Sequence, residues 1–198
     1  MAESDAHTGE GGEPAQCRGP LAPRVVVLVG PPGAGKTAVG SVLARVLGWP
    51  FVDTDAVVAE RAGMSISDIF LTLGEAQFRA WEREAVSDAI GGGAPRVVAV
   101  GGGAPMDSHS ADLLSEQFTV FLDVSEGVGV RRVGLSGARP LLAASPRARW
   151  RELMAERRPV YLWVARHVVH VDTLTPKATA TQIARLLGNT AKGKGRGR

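Results

Sequence analysis

Short apolar runs alternate along the chain with longer stretches of helical periodicity. The runs predict strands at 24–29, 51–52, 96–100, 119–123 and 167–171. The periodic stretches predict helices at 36–47, 67–73, 75–90, 146–164 and 176–187. The first run is a β-branched block that ends in glycine, which is typical of a strand buried on both faces. Strands that alternate with helices predict βαβ units, and therefore an α/β fold with a parallel sheet covered on both faces.

The two ends of the chain differ in composition from the body. Residues 1–23 carry a net charge of −3 and almost no large apolar side chains, and residues 189–198 carry +4. Such segments bury too little surface to offset the entropy of ordering, so we expect both to be disordered. The predicted domain is therefore 24–188. We favour a solvated role for the basic tail and expect no specific nucleic acid partner, although a plain electrostatic contact with nucleic acid is the alternative.

Several classes of protein are excluded or disfavoured by composition. No apolar run reaches the roughly 18 residues needed to span a bilayer, so we expect no membrane association. The N-terminus lacks the pattern of a signal peptide. Cys17 is the single cysteine, which rules out a disulfide within the chain. These features predict a cytoplasmic protein.

One motif is typical of phosphate binding. The stretch GPPGAGKT at 30–37 matches G-x-x-x-x-G-K-[ST] and lies between a predicted buried strand and a predicted helix. Its glycines allow successive N–H groups to point inward at phosphate oxygens, and the helix adds its positive N-terminal end. Lys36 would reach the β- and γ-phosphates, and the Thr37 hydroxyl would bind Mg²⁺. The motif predicts a nucleotide site (a P-loop) but leaves the second substrate open.

Two carboxylates follow the second predicted strand, at Asp53 and Asp55. Ligands of open α/β sheets bind outside the carboxyl ends of the strands. On an extended segment, residues i and i+2 point the same way, so one carboxylate could hold Mg²⁺ through water while the other reaches a substrate hydroxyl. Solvated loop carboxylates are the alternative.

Arginines on two predicted helices suit an anionic substrate. Arg79 and Glu82 are three residues apart and share a helix face, so glutamate could hold the guanidinium as a fork for a carboxylate. Arg157, in the stretch R-x-P-x-Y, offers a second fork. A surface ion pair and a solvated helix face are the respective alternatives.

Two glycine-containing segments are candidates for ligand contact and for movement. Three glycines at 101–103 follow the third predicted strand and permit close approach of backbone to a ligand. Residues 134–144 combine glycine with Arg139 before a proline, as expected of a mobile lid that delivers an arginine to phosphates. An ordinary surface loop is the alternative for the second segment.

Taken in order, these motifs resemble the shikimate kinase family. The matching stretches are GPPGAGKT, VDTD at 52–55, G-E-x-x-F-R-x-x-E at 74–82, GGG at 101–103, RPLL at 139–142 and R-x-P-x-Y at 157–161. The resemblance covers roughly residues 24–188. It implies a three-layer kinase fold with a five-stranded parallel sheet, a substrate-binding region at about 53–83 and a lid at about 132–149. It also implies transfer of the ATP γ-phosphoryl to the 3-hydroxyl of shikimate, on the route to chorismate and the aromatic amino acids.

The resemblance assigns the acceptor site residue by residue. Asp55 would contact the ring hydroxyls and help deprotonate the attacking one, while Arg79 and Arg157 would pair with the carboxylate. The N–H of Gly102 would donate to the substrate. The remaining acceptor-site residues are Gly101, Gly103, Glu82, and the two rings expected to wall the pocket, Phe70 and Phe78.

The resemblance also assigns the nucleotide site. Lys36 and, when the lid closes, Arg139 would reach the ATP phosphates. Asp53 would hold a water bound to Mg²⁺, whose direct ligand would be Thr37. Arg132 and the segment around Pro176 would flank the adenine. The other predicted nucleotide contacts are Gly33, Ala34, Gly35 and Ala38.

Two other functions remain open at this point. A P-loop kinase for another hydroxy-acid or sugar acid, such as gluconate, would share the size and the nucleotide motif. A non-enzymatic, nucleotide-dependent binding protein could use the basic tail. Shikimate kinase accounts best for the aspartates and arginines together, and we expect a monomer that uses ATP and Mg²⁺.

Overall fold

The computed structural model of the chain describes residues 24–135 and 146–193. Five strands form one sheet: β1 Val25–Val29, β2 Phe51–Asp53, β3 Arg96–Ala99, β4 Phe118–Asp123 and β5 His167–His170. Their order is β2-β3-β1-β4-β5, and every neighbouring pair is parallel. The α/β class and the parallel five-stranded sheet are therefore confirmed.

Helices cover this sheet. They are α1 Lys36–Leu47, α2 Thr54–Ala62, α3 Ile66–Thr72, α4 Gly74–Gly91, α5 Ser108–Ser115, α6 Glu126–Leu135, α7 Pro146–Val164 and α8 Pro176–Gly193. Helix α1 packs against α8, whereas α5 packs against both α4 and α7. Right-handed crossovers place these two groups on opposite faces of the sheet. No described helix is long and apolar enough to cross a membrane.

Three of these helices were not predicted, and one of them corrects the interpretation of the aspartates. Asp53 ends β2 and caps α2, where its carboxylate accepts the N–H of Asp55 at 3.1 Å. The segment 53–55 is thus the start of a helix and not an extended stretch, because aspartate at the cap satisfies a helical N–H group. Helix α5 begins in the same way at Asp107. Helix α6 contains three glycines, which weaken a helical prediction.

The chain ends lie partly outside the described residues. Helix α8 continues to Gly193, so residues 189–193, which composition assigned to a disordered tail, are helical. The leader 1–23, the segment 136–145 and residues 194–198 lie outside the described part, and with them Arg139 and most of the predicted lid. The described ends of that lid region belong to α6 and α7.

Within the described part of the chain, apolar side chains form two clusters. The larger surrounds the sheet, in which β1 and β4 are wholly buried. The smaller consists of Val58, Ile69, Phe78 and Ala85, from α2, α3 and α4. The first cluster supports the carboxyl ends of the strands, and the second lies under the predicted substrate-binding region.

Candidate active site

The loop between β1 and α1 adopts the backbone that its glycines predict. Gly30, Gly33 and Gly35 have φ of 145°, 83° and 86°, values that favour glycine. Gly35 caps α1 without a side-chain hydrogen bond, so the N-terminal turn of the helix remains a site for an anion. Of the flanking alanines predicted to touch nucleotide, Ala34 is buried and Ala38 is exposed.

The two polar side chains that follow the loop have defined partners. Lys36 Nζ donates to the carbonyl oxygens of Gly30 at 2.8 Å and Pro31 at 3.3 Å, so its ammonium lies over the loop. The Thr37 hydroxyl donates to Asp53 Oδ2 at 2.7 Å. Asp53 therefore joins the start of α1 to the start of α2. A hydroxyl and a carboxylate oxygen at this spacing are hard ligands that suit Mg²⁺, directly or through water.

Next to this loop, Gly101 lies between two carboxylates. A methyl group added at Gly101 would meet both Asp55 Oδ1 and Glu82 Oε1 at 2.5 Å. Only glycine lets the backbone and both carboxylates approach so closely. Burial raises the pKa of Glu82 above its ordinary value; hydrogen bonding to Arg79 opposes the rise, and the charge of Asp55 adds to it.

The guanidinium of Arg79 is held on two sides by its own helix. Nη1 donates to Glu82 Oε2 at 2.6 Å, and Nη2 and Nε donate to Glu75 Oε1 at 3.1 and 3.2 Å. Although burial lowers the pKa of Arg79, these glutamates raise it above its ordinary value, so the group is permanently charged. A methyl group at Gly103 would clash with Nη1 of Arg79, which places the fork against the glycine turn, residues 101–103. The surface ion pair considered above is therefore wrong for Glu82, which is buried.

Helix α7 brings a second arginine to the same turn. A methyl group at Gly102 would lie 3.7 Å from Arg157 Nη1 and 3.5 Å from the carbonyl oxygen of Gly30. The Nε of Arg157 is buried and has no hydrogen-bond partner within the described residues. The glycine turn thus adjoins both Arg157 and the loop between β1 and α1, which we call the phosphate loop (residues 30–37).

The predicted ring pair lies at the small apolar cluster, whereas Arg132, a predicted adenine contact, lies against Gly33 of the loop between β1 and α1. Phe70 and Phe78 have ring centroids 4.6 Å apart; Phe78 is a member of the small apolar cluster and Phe70 packs against that cluster. Arg132 on α6 donates to the carbonyl oxygens of Val171 at 3.0 Å and Gly33 at 3.4 Å. Pro176 is the first residue of α8. Arg132 thus joins the phosphate loop to the segment that follows β5.

Sequence reasoning gave no role to several side chains that the fold brings to this region. The hydroxyl of Tyr161 donates to the carbonyl oxygen of Gly102 at 2.6 Å, and Glu75 is a second anchor of Arg79. Tyr161 belongs to the motif R-x-P-x-Y, and Glu75 belongs to the motif G-E-x-x-F-R. These motifs could therefore have pointed to both residues. Arg158 pairs with Asp123 at 2.6 Å beside a cleft of about 330 Å³, and no motif pointed to that pair.

Comparison with known proteins agrees with this geometry. A sequence model of the shikimate kinase family matches residues 32–188. The shikimate kinase of Salinispora arenicola is 48% identical over 82% of this chain and 97% of its own length, and that of Thermobifida fusca is 45% identical over 82% and 94%. The solved structure of shikimate kinase from Acinetobacter baumannii in complex with shikimate matches with a TM-score of 0.80 and 31% identity, covering 84% of this chain and 94% of that one. This chain belongs to the shikimate kinase family.

Proposed function

We propose that this chain, an ATP-dependent kinase, transfers the γ-phosphoryl group of ATP to the 3-hydroxyl of shikimate. The observation that carries the proposal is the glycine turn at 101–103, which contacts the phosphate loop on one side and two arginines and two carboxylates on the other. Direct phosphoryl transfer requires the nucleotide and the acceptor to be held side by side and in line. An acceptor bound at this turn meets that requirement.

Charged side chains support the proposed binding of the acceptor. Arg79 and Arg157 supply two cationic forks for one carboxylate, and the anchoring glutamates keep the first fork in place. Asp55 would accept a hydrogen bond from the attacking hydroxyl and take its proton. A small ring that carries one carboxylate and several hydroxyls satisfies both groups at once.

The phosphate loop supports the proposed binding of ATP. Lys36 would turn from the loop carbonyls to the β- and γ-phosphates, with the N-terminus of α1 behind them. Thr37 and Asp53 would hold Mg²⁺, which neutralises charge on the phosphates when bound. Within residues 24–135 and 146–193, no three His, Cys, Asp or Glu side chains are grouped as a metal site. Mg²⁺ is usually held by one or two protein ligands together with phosphate and water.

The remaining predictions are not tested by the contacts described above. Arg139 would reach the phosphates when the lid closes, and Arg132 and Pro176 would flank the adenine. A monomeric state and a cytoplasmic location also stay predictions.

A coupled assay of ADP release tests the activity. We expect turnover with ATP, Mg²⁺ and shikimate, and only background hydrolysis with gluconate or without acceptor. Chelation of Mg²⁺ should abolish turnover. Equal rates with gluconate would instead support a sugar-acid kinase, and hydrolysis that is independent of any acceptor would contradict the proposal.

The role of Asp55 is tested separately by Asp55→Asn. We expect kcat to fall about 10²- to 10⁴-fold, the usual contribution of a general base, while ATP binding survives. Asp112→Asn, at an exposed aspartate of α5, is the matched control and should leave kcat unchanged. Near-normal turnover in Asp55→Asn would remove this residue from the mechanism.

A further inference from the structure

The glycine turn at 101–103 is held from behind by two buried hydroxyl groups. Tyr161 donates to the carbonyl oxygen of Gly102 at 2.6 Å, and the N–H of Gly101 donates to the Thr54 hydroxyl at 3.1 Å. Both side chains have 0% of their surface exposed. Neither hydroxyl is positioned to meet solvent, so each acts on the backbone of the turn.

Three consecutive glycines do not define a single conformation by themselves. Glycine lacks a Cβ and samples more of backbone space than any other residue, so a turn of three must be ordered by its surroundings. If the turn ordered only when the acceptor bound, binding would be weakened by the entropy lost at that moment. External hydrogen bonds can remove that cost in advance.

The geometry of the peptide group gives the Tyr161 bond a directional effect. Because the peptide between Gly102 and Gly103 is planar and trans, a carbonyl oxygen directed at Tyr161 turns the N–H of Gly103 the opposite way. The carbonyl oxygen of Gly101 accepts the N–H of Ala104 at 3.1 Å, which orients the N–H of Gly102 by the same rule. The donor directions of the turn are thus set by its carbonyl partners.

The same helix face also carries the arginine. Tyr161 lies one helical turn beyond Arg157 on α7, and residues four apart share a face. The ring of Tyr161 packs on Phe121 of β4, with centroids 5.2 Å apart, which anchors this part of α7 to the sheet. One helix therefore delivers both a guanidinium and a fixing hydroxyl to the glycine turn.

We propose that Tyr161 is a positioning residue that preorganises the glycine turn for the acceptor and so sets the affinity for its anionic ring. This inference rests on the proposed function for the identity of the acceptor. It assigns Tyr161 no contact with substrate. Its effect passes through the Gly102 carbonyl and should fall on acceptor binding more than on nucleotide binding.

The test uses the full-length Tyr161→Phe variant, which keeps the ring and its packing on Phe121 and removes the hydroxyl alone. We expect KM for shikimate to rise about tenfold, the equivalent of about 1.4 kcal/mol. KM for ATP should change less than about twofold and kcat less than about threefold, since this hydroxyl donates to the glycine turn. Backbone amide exchange at Gly102 and Gly103 should accelerate in the variant without ligand.

A matched control separates positioning from general stability. Thr119, also fully buried, donates its hydroxyl to the carbonyl oxygen of Leu114 at 2.5 Å, near the opposite end of β4 from the site. Thr119→Val removes the same kind of bond and should lower the melting temperature to a similar degree. Its KM for shikimate should equal that of the unmodified enzyme. Thr54→Val, which loosens the turn from its other side, should raise that KM as Tyr161→Phe does.

Three outcomes would overturn the inference. The first is a Tyr161→Phe enzyme with unchanged KM for shikimate. The second is a rise in KM for shikimate that Thr119→Val reproduces. The third is unchanged amide exchange in the turn. The exchange measurement needs no acceptor, so it tests the preorganisation of the turn even if the unmodified enzyme fails to turn over shikimate, a result that would contradict the proposed function instead.

Discussion

At the scale of single residues, the guanidinium of Arg79 is bound by two glutamates of its own helix. Glu82 binds it from a buried position and Glu75 binds it from the surface side of α4. Two anchors leave the planar fork few alternative orientations, so little side-chain entropy would be lost on binding of the proposed carboxylate. Burial raises the pKa of Glu82, and its hydrogen bond to Arg79 opposes that rise.

Replacing this arginine by lysine should separate charge from geometry. In Arg79→Lys we expect kcat/KM for shikimate to fall about 100-fold, or about 2.7 kcal/mol, because the ammonium keeps the charge but cannot bridge two oxygens in a plane. KM for ATP should be unaffected. The measurement is steady-state kinetics with each substrate varied. Arg83→Lys is the control, since Arg83 lies one turn further along α4 and pairs with Asp107 outside the site. Equal losses in the two variants would mean that α4 as a whole has been disturbed.

At the scale of elements, α6 is packed closely between the phosphate loop and α7. A methyl group at Gly33 would meet the carbonyl oxygen of Gly129 at 2.5 Å, and a methyl group at Gly129 would meet Trp150 Nε1 at 2.9 Å. Trp150 is itself buried, so its ring has little room to move. The glycine in the middle of α6 therefore sets the distance between the phosphate loop and the helix that carries Arg157.

Two alanine substitutions in α6 test this packing. Gly129→Ala should destabilise the protein by about 1–3 kcal/mol, the usual cost of overpacking, and should raise KM for ATP. Gly127→Ala, where an added methyl group meets nothing within 4 Å, should instead be neutral or stabilising by up to about 1 kcal/mol through helix propensity. Urea unfolding with ATP kinetics measures both effects. Identical behaviour of the two variants would contradict the close packing of α6.

The cap of α5 predicts a pH dependence of stability. Asp107 accepts the N–H of Ser110 at 2.9 Å and the Nε of Arg83 at 2.9 Å; burial opposes ionisation, but these bonds lower its pKa below the ordinary 3.8. A lowered pKa contributes stability above pH 3.8 that is lost as the pH falls through the folded-state pKa. Asp107→Ala should therefore cost about 1 kcal/mol at pH 7 and progressively less below pH 4. Urea titrations at several pH values measure the difference, and a loss that does not depend on pH would assign the effect to helix propensity alone.

At the scale of the whole molecule, the described residues contain two apolar clusters of unequal size. The larger surrounds the sheet and the phosphate loop, and the smaller joins α2, α3 and α4 under the acceptor side of the site. Small clusters can open locally at a lower free energy than the whole fold. We therefore expect α2, α3 and α4 to open locally while the sheet and the phosphate loop stay folded.

A pair of isoleucine substitutions tests that division. Ile69, in the small cluster, and Ile183, in the large one, are both fully buried, and truncation to alanine should cost each about 2–5 kcal/mol locally. We expect Ile69→Ala to accelerate amide exchange only in α2, α3 and α4 and to weaken shikimate binding before ATP binding. Ile183→Ala should lower the protection of backbone amides from exchange throughout the domain. Uniform loss of protection in Ile69→Ala would show that the two clusters unfold as one.

Local sequence patterns were sufficient to predict much of the fold. The buried run before the phosphate loop and the long helices α1, α4 and α7 were predicted from period and from flanking glycine or proline. Helices α2 and α5 were missed because they are short and follow directly on capping aspartates, which serve equally well in loops. Asp53 followed by Val57 and Val58 was the available signal for α2.

The sequence by itself determined the phosphate loop, the alternation of strands and helices and the identity of the motif residues, because each depends on neighbours a few positions away. The order of the strands, with β1 central, was decided only by the tertiary structure. So were the meeting of Asp55 and Glu82 at Gly101 and the bond from Tyr161 to Gly102, which joins residues 59 positions apart. Such contacts arise from burial and close packing of distant segments, and no local pattern in the chain encodes which of them will meet.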